Sequence, residues 1–174
     1  VSRGHVQSLE AAPRITVSQH NSVFRNLRNW RFEALTAEAG LTANAPARHR
    51  GSAVGDLNGD GRLDVVVSAI GVPAEIWINE SPGQNHWIDI ALEGRKSNRG
   101  GVGARIKIVT KSGTQYEHVS SASGYASSSA RPAHFGLGPD RTVESIEIRW
   151  PSGIVQQLKS VAIDRVLKVR EPES

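Results

Sequence analysis

The sequence predicts an all-β chain, and three observations carry that reading. Apolar and polar residues alternate through many short runs, the pattern of strands with one buried face. Gly, Pro, Asn and Ser punctuate those runs at the intervals typical of a β-sandwich. No stretch holds a 3.6-residue apolar period over a useful helical length.

Residues 1–21 are polar and irregular and read as a connecting segment. Ser22–Leu27 alternates as a strand, Arg28-Asn29 is a turn, and Trp30–Leu35 is the returning strand. Thr36–Leu41 fits a single helical turn stopped by Gly40, and 42–50 is a loop broken by Pro46. Strands follow at Ser52–Gly55, Val65–Ser68 and Ala74–Asn79, then at His86–Leu92, Ala104–Val109 and Gln115–Val119. The last are expected at His134–Leu137, Ser145–Trp150, Ile154–Leu158 and Val166–Val169. From residue 85 to 171 these strands are enough for an antiparallel sandwich of its own. Residues 22–84 form a separate region organised around a metal loop. Trp30, Trp77, Trp87 and Trp150 lie mostly on strands at core-compatible positions, so core packing is their expected role.

The loop joining the third and fourth of these strands is the most informative stretch. In Asp56-Leu57-Asn58-Gly59-Asp60-Gly61-Arg62-Leu63-Asp64, oxygen-bearing side chains stand at positions one, three, five and nine, with glycine at six. Ca²⁺ takes six to eight oxygen ligands at about 2.3–2.6 Å. Asp56, Asn58, Asp60, the Arg62 carbonyl and Asp64 would supply them, while Gly61 permits the turn. An EF-hand would place a bidentate Glu at the twelfth position between helices. Here that position is Val67, inside a β-branched run, so the loop is a calcium clip leading into a sheet. An ordinary Asx turn is the competing reading, but it gives no reason for alternate oxygen side chains across the whole stretch.

Composition narrows the function classes. The 174 residues carry net charge +4 and a pI near 9.8, with the basic residues scattered and no aromatic-interleaved basic strip, which argues against nucleic acid. No apolar run is long enough to span a membrane. There is no Cys, so disulfides and thiolate chemistry are excluded, and no Met, which points to a piece of a longer protein. Gly100-Gly101-Val102-Gly103 leads into a strand, so it reads as a turn or bulge rather than a phosphate cradle. The six histidines form no i, i+4 pair and no HExxH run; His86 and His134 flank strands, where a hydrogen-bonded structural role is expected. The Ser120–Ser129 tract lacks a nucleophile elbow. Asn79-Glu80-Ser81 fits a glycosylation sequon in a eukaryotic secretory host.

The run GDLNGDGRLDVVVS (55–68), with Phe24–Leu27, Arg31–Glu33 and Ala39–Leu41 before it, resembles FG-GAP/VCBS repeats. NRGGVGARIKI (98–108), SGYASSS (123–129), HFGLG (134–138) and IRWPSGIVQQL (148–158) resemble the ASPIC/UnbV domain. The order is that of cartilage acidic protein-like proteins. The resemblance implies blades of a calcium-clipped β-propeller over 22–84, then the ASPIC/UnbV sandwich over 85–171. It places calcium ligands on Asp56, Asn58, Asp60, Arg62 and Asp64, and implies further propeller blades upstream as partners.

Together these readings predict a non-catalytic calcium-binding module for adhesion, scaffolding or protein recognition. It would be extracellular, at the cell surface or periplasmic, where millimolar calcium saturates sites with Kd near ~10⁻⁴–10⁻³ M. The partner would be a cell-surface or matrix protein or a glycan, met by the loop bearing Tyr125, Ser127 and Ser128, since binding residues concentrate on loops of rigid scaffolds. The alternative is a carbohydrate-binding accessory domain of a secreted enzyme, with Tyr125 and a tryptophan as the sugar platform.

Overall fold

A computed structural model describes residues 18–83, 85–129 and 132–173. The expected connection over 1–21 therefore lies outside the described residues as far as residue 17. The described residues hold twelve strands and no helix, and every strand expected from alternation is present. They sort into two compact units that interleave along the chain. One takes the described residues of Val1–Val54, Asp64–Ile78 and Ala122–Ser129. The other takes Gly55–Leu63, Asn79–Ser121 and Ala130–Ser174.

The first unit opens with a hairpin of β1 (Phe24–Asn26) and β2 (Phe32–Ala34), in which Arg25 faces Glu33. Its turn runs through positive φ at Arg28, Asn29 and Trp30, 68°, 49° and 61°. Asn26 Oδ1 accepts the Arg28 N–H at 2.8 Å, the Asx bond that lets a short polar residue start such a turn. Trp30 stands at the tip and is 95% exposed, so the core role expected for it does not hold. The turn carries its side chain off the strand face on which the alternation argument relied. The helical turn over 36–41 forms, with the Ala39 N–H on the Leu35 carbonyl at 2.8 Å and Gly40 at φ 73°.

The same unit holds a three-stranded sheet of β3 (His49–Gly55), β4 (Asp64–Ala69) and β5 (Glu75–Trp77), in that spatial order. Val67 is its buried apolar residue, and Glu75 is its polar hub. The Glu75 carboxylate accepts Asn21 Nδ2 at 2.8 Å and Trp77 Nε1 at 3.1 Å, and lies 3.1 Å from His49 Nε2. The Glu75 carboxylate is held in place by these partners, which stand in for lost water contacts.

The second unit is the sandwich. One sheet is ordered β11-β10-β7-β8, from β7 (Arg105–Thr110), β8 (Gly113–His118), β10 (Val143–Arg149) and β11 (Val155–Val161). The other is ordered β12-β6-β9, from β6 (His86–Glu93), β9 (Ala133–Gly138) and β12 (Arg165–Arg170). Inward residues of both sheets make one core: Ile88, Ile90, Ile106, Ile108, Phe135, Leu137, Ile146, Ile148 and Val169, with Trp150 beside them. Seen as transfer of apolar surface from water, each such side chain contributes about 1.5–3 kcal/mol. The sheets are antiparallel with one exception: β12 lies parallel to β6, Leu167 opposite Ile90. Alternation reveals a strand but not its direction, and a parallel neighbour is available only to a chain that crosses over before returning. The glycine run at 100–103 is a turn, as expected; Asn98 Oδ1 accepts the Val102 N–H at 2.8 Å.

Candidate metal loop and the adjoining cleft

Within the second unit, residues 55–63 wind into a tight loop held mainly by its own carboxylates. Asp56 is the organiser. Its Oδ1 accepts the N–H groups of Gly59 and Asp60 at 2.7 and 3.2 Å, and its Oδ2 accepts that of Gly61 at 2.8 Å. Asp60 repeats the device, accepting the Arg62 N–H at 2.8 Å on Oδ1. Its other oxygen receives Asn58 Nδ2 at 2.7 Å and Arg62 Nη2 at 2.5 Å. The Arg62 N–H is the chief reason the Asp60 carboxyl sits below the usual carboxylate range, against burial and with help from Asn58 and the Arg62 guanidinium.

This donor set suits a hard cation. Asp56, Asn58, Asp60 and Arg62 are brought into one loop, all offering oxygen, and Asp60 is kept ionised. Two contacts would have to give way to an ion, the Asn58 amide N–H and the Arg62 guanidinium on Asp60 Oδ2. Asp64 opens β4 in the first unit and is buried, 1% exposed. Among the described residues no three His, Cys, Asp or Glu side chains converge as a metal cluster, so a cation here would depend on the amide and carbonyl oxygens as well.

Gly61 does more than turn the chain. It lies at φ 84°, and a Cβ placed on it would come within 1.9 Å of Trp87 Nε1 and 2.3 Å of Cδ1 and Cε2. The loop thus rests its backbone on the Trp87 indole, an approach open only to glycine. Arg62 Nε adds a bond to the Asn79 carbonyl at 2.6 Å, and Asn79 Nδ2 donates to the Leu63 carbonyl at 3.3 Å. Trp87 in turn stacks on His134, ring centres 6.2 Å apart and planes 15° apart.

Both histidines expected in structural roles carry carboxylate partners. His134 Nδ1 lies 2.8 Å from Asp89 Oδ1, and His86 Nδ1 lies 2.7 Å from Asp164 Oδ2. Asp164 Oδ1 also accepts the Trp87 N–H at 3.1 Å. Burial pushes the Asp89 carboxyl up, the bond and charge of His134 oppose it, and the Asp56 charge adds to the rise. His86, Trp87, His134 and Asp164, with Asp60, Arg62 and Asn79, line a cleft of about 540 Å³. Asp60 and Arg62 belong to the loop visible in the sequence; Trp87 and the two His–Asp pairs assemble only through the sandwich topology. The one sequence signal for Trp87 is the glycine at position six, and it does not name a partner.

The other candidate residues lie in the first unit. Tyr125 is exposed, and so is Ser128. Ser127 is occupied: its Oγ accepts the Ser52 N–H at 2.9 Å and donates to the Tyr125 carbonyl at 2.7 Å.

Residues 94–174 match the family model described as "ASPIC and UnbV", and residues 14–67 match that of the FG-GAP-like repeat. The chain carries an FG-GAP-like repeat followed by an ASPIC and UnbV domain. It is similar to cartilage acidic protein 1 of Mus musculus, 29% identical over 164 residues, 90% of this chain and 25% of the relative. Human cartilage acidic protein 1 is 29% identical over 163 residues, covering 89% of this chain and 24% of the relative. The Xenopus tropicalis protein is 31% identical over 140 residues, 76% and 21% of the two chains. The chain thus spans about a quarter of the length of these relatives or less. The oxygen loop falls in the FG-GAP-like repeat and the Tyr125 loop in the ASPIC and UnbV domain. Trp87 falls between the two matched regions. Among the described residues no helix is long and apolar enough to cross a membrane.

Proposed function

We propose that this chain is a calcium-stabilised recognition module that works outside the cytoplasm, at a cell surface, in a matrix or in a periplasm. The observation that carries the reading is the loop itself: Asp56, Asn58, Asp60 and the Arg62 carbonyl gathered in one turn and seated on Trp87. Asp64 joins them as ligand on the sequence pattern. Calcium would neutralise the loop's carboxylates and hold it on the indole. The module is proposed to be non-catalytic. His86 and His134 are each bonded to an aspartate and to no hydroxyl, so neither sits in a nucleophile–base pair among the described residues. Its partners are a cell-surface or matrix protein or a glycan, and further propeller blades are proposed to precede it.

Calorimetry and thermal melting test this directly. Millimolar calcium, about one- to tenfold over a Kd of ~10⁻⁴–10⁻³ M, should stabilise the native state by mass action by about 0.4–1.4 kcal/mol and raise the melting temperature accordingly. Asp60→Ala should remove most of the shift. No heat of binding and no shift at millimolar calcium would end the calcium reading.

The 76% exposure of Tyr125 favours a second reading, a carbohydrate-binding accessory domain with that ring as platform. Specific glycan binding on an array, abolished by Tyr125→Ala, would establish it, and a blank array would dismiss it.

A further inference from the structure

The outer face of the four-stranded sheet carries like charges that its register sets side by side. Arg149 on β10 stands directly opposite Arg105 on β7, and Arg105 stands opposite His118 on β8. In the next outward row, Glu147 faces Lys107, and Lys107 faces Tyr116. Like charges directly opposite across an antiparallel pair are destabilising. One of the four, Arg149, has an acidic partner, Glu147 Oε1 at 2.8 Å, while Arg105 and Lys107 make no ion pair among the described residues. The core lies on the opposite face, built by Ile106, Ile108, Ile146 and Ile148, so packing does not require arginine at either position. A placement that costs stability and serves no packing purpose points to a ligand bringing the missing negative charge.

The shape agrees. Arg105, Lys107, Tyr116, His118 and Arg149, together with the carboxylates of Glu117 and Glu147, border a cleft of about 540 Å³, within the roughly 300–1,000 Å³ of small-ligand sites. Guanidinium groups match tetrahedral oxyanions with paired, charge-assisted hydrogen bonds, and they give up water more readily than ammonium does. Tyr116 is 72% exposed and offers a ring beside those cations. An oxyanion alone would leave the Tyr116 ring and Lys107 unused. A single strand of nucleic acid would want a succession of stacking rings, and this face has one. A sugar bearing oxyanions uses both features, its apolar ring face on the tyrosine and its charge on the arginines.

We propose that this cleft binds a sulfated oligosaccharide, with a sulfate ester between Arg105 and Arg149 and the adjoining sugar ring against Tyr116. The site is separate from the calcium loop and does not rest on it. The test is titration calorimetry on the full chain with a sulfated hexasaccharide of defined structure. It is run beside its unsulfated counterpart, inorganic sulfate and a single-stranded oligonucleotide of equal charge, with and without chelator. The sulfated sugar should bind best, and chelator should not change its affinity. Arg105→Gln with Arg149→Gln should weaken it about tenfold or more, as expected for losing hydrogen bonds to a charged group. Arg165→Gln, a single charge loss on β12, should leave it unchanged. The paired variant should melt close to the parent, because the repulsion removed offsets the exposed Arg149–Glu147 pair lost with it, and this separates lost binding from lost folding. Equal affinity for the unsulfated sugar, equal weakening by Arg165→Gln, or tighter binding of the oligonucleotide would each overturn the assignment.

Discussion

Glu171 follows the last strand with its side chain buried and both carboxylate oxygens engaged. It accepts the N–H groups of Arg95 and Ser97 at 2.6 and 2.8 Å and the hydroxyls of Ser97 and Ser152 at 2.8 and 2.5 Å. Burial alone would raise its pKa, but those four donors outweigh it and pull the group from 4.5 down to about 2. A depressed folded pKa stabilises above the unfolded value and loses that contribution as pH falls through the folded one. The melting temperature should therefore drop between about pH 5 and pH 2, and Glu171→Gln should flatten that part of the profile while lowering stability at neutral pH. A parallel fall in the variant would refute the assignment. At Gly61 the prediction is steric. Gly61→Ala meets both the positive φ and the Trp87 ring, and should cost about 2 kcal/mol or more in chemical denaturation. Gly59→Ala, with open space around it at φ 78°, should cost about 1 kcal/mol. The sequence displays the Asp56–Asp60 pattern because its partners are its own neighbours. It hides Glu75, Glu171 and Trp87, whose partners lie far along the chain.

Strands were legible one by one because alternation is a local property, and their ends shift by only a few residues in the structure. What alternation cannot reveal is which edge a loop covers. β3 is an edge strand, and edge strands expose unpaired N–H groups that invite other strands. The serine-rich loop covers this one. Ser127 Oγ accepts the Ser52 N–H, and Ser129 Oγ accepts the Val54 N–H at 3.3 Å. Ser123 ties the loop to itself through Ser129, and a Cβ at Gly51 would strike the Ala126 carbonyl oxygen at 2.4 Å. The tract looked like an open recognition loop from sequence; Ser123, Ser127 and Ser129 act as a strap, while Tyr125 and Ser128 face solvent. Ser127→Ala should cost about 1 kcal/mol and speed amide exchange at Ser52. Exchange at Ser52 indistinguishable from that of the parent would show that the strap protects nothing. Trp30 marks the limit of the periodicity argument, since the backbone turn overrides the pattern that placed it inside.

At the scale of the molecule, the sandwich core draws, among the described residues, on those between Ile88 and Val169. A chain starting near Gln84 should therefore fold cooperatively, with a β-type circular dichroism spectrum and the same melt with or without chelator. An unfolded product would mean that the oxygen loop or the preceding repeat completes the core. The all-β class and the repeat-then-sandwich order were legible because each motif is short and contiguous. The interleaving of the two units was not, since it depends on which distant segments meet. The parallel pairing of β12 with β6 was hidden for the same reason, and it sets a schedule. β6 is the middle strand of its sheet, the first of the sandwich to be made, and one of its two neighbours is the last. On a ribosome, β6 must wait with one flank open until Arg170 has left the exit tunnel, so non-local closure governs the rate. That interval is when an unpaired inner strand is most open to wrong pairing, and slowing synthesis just after β9 should lower the yield of folded protein.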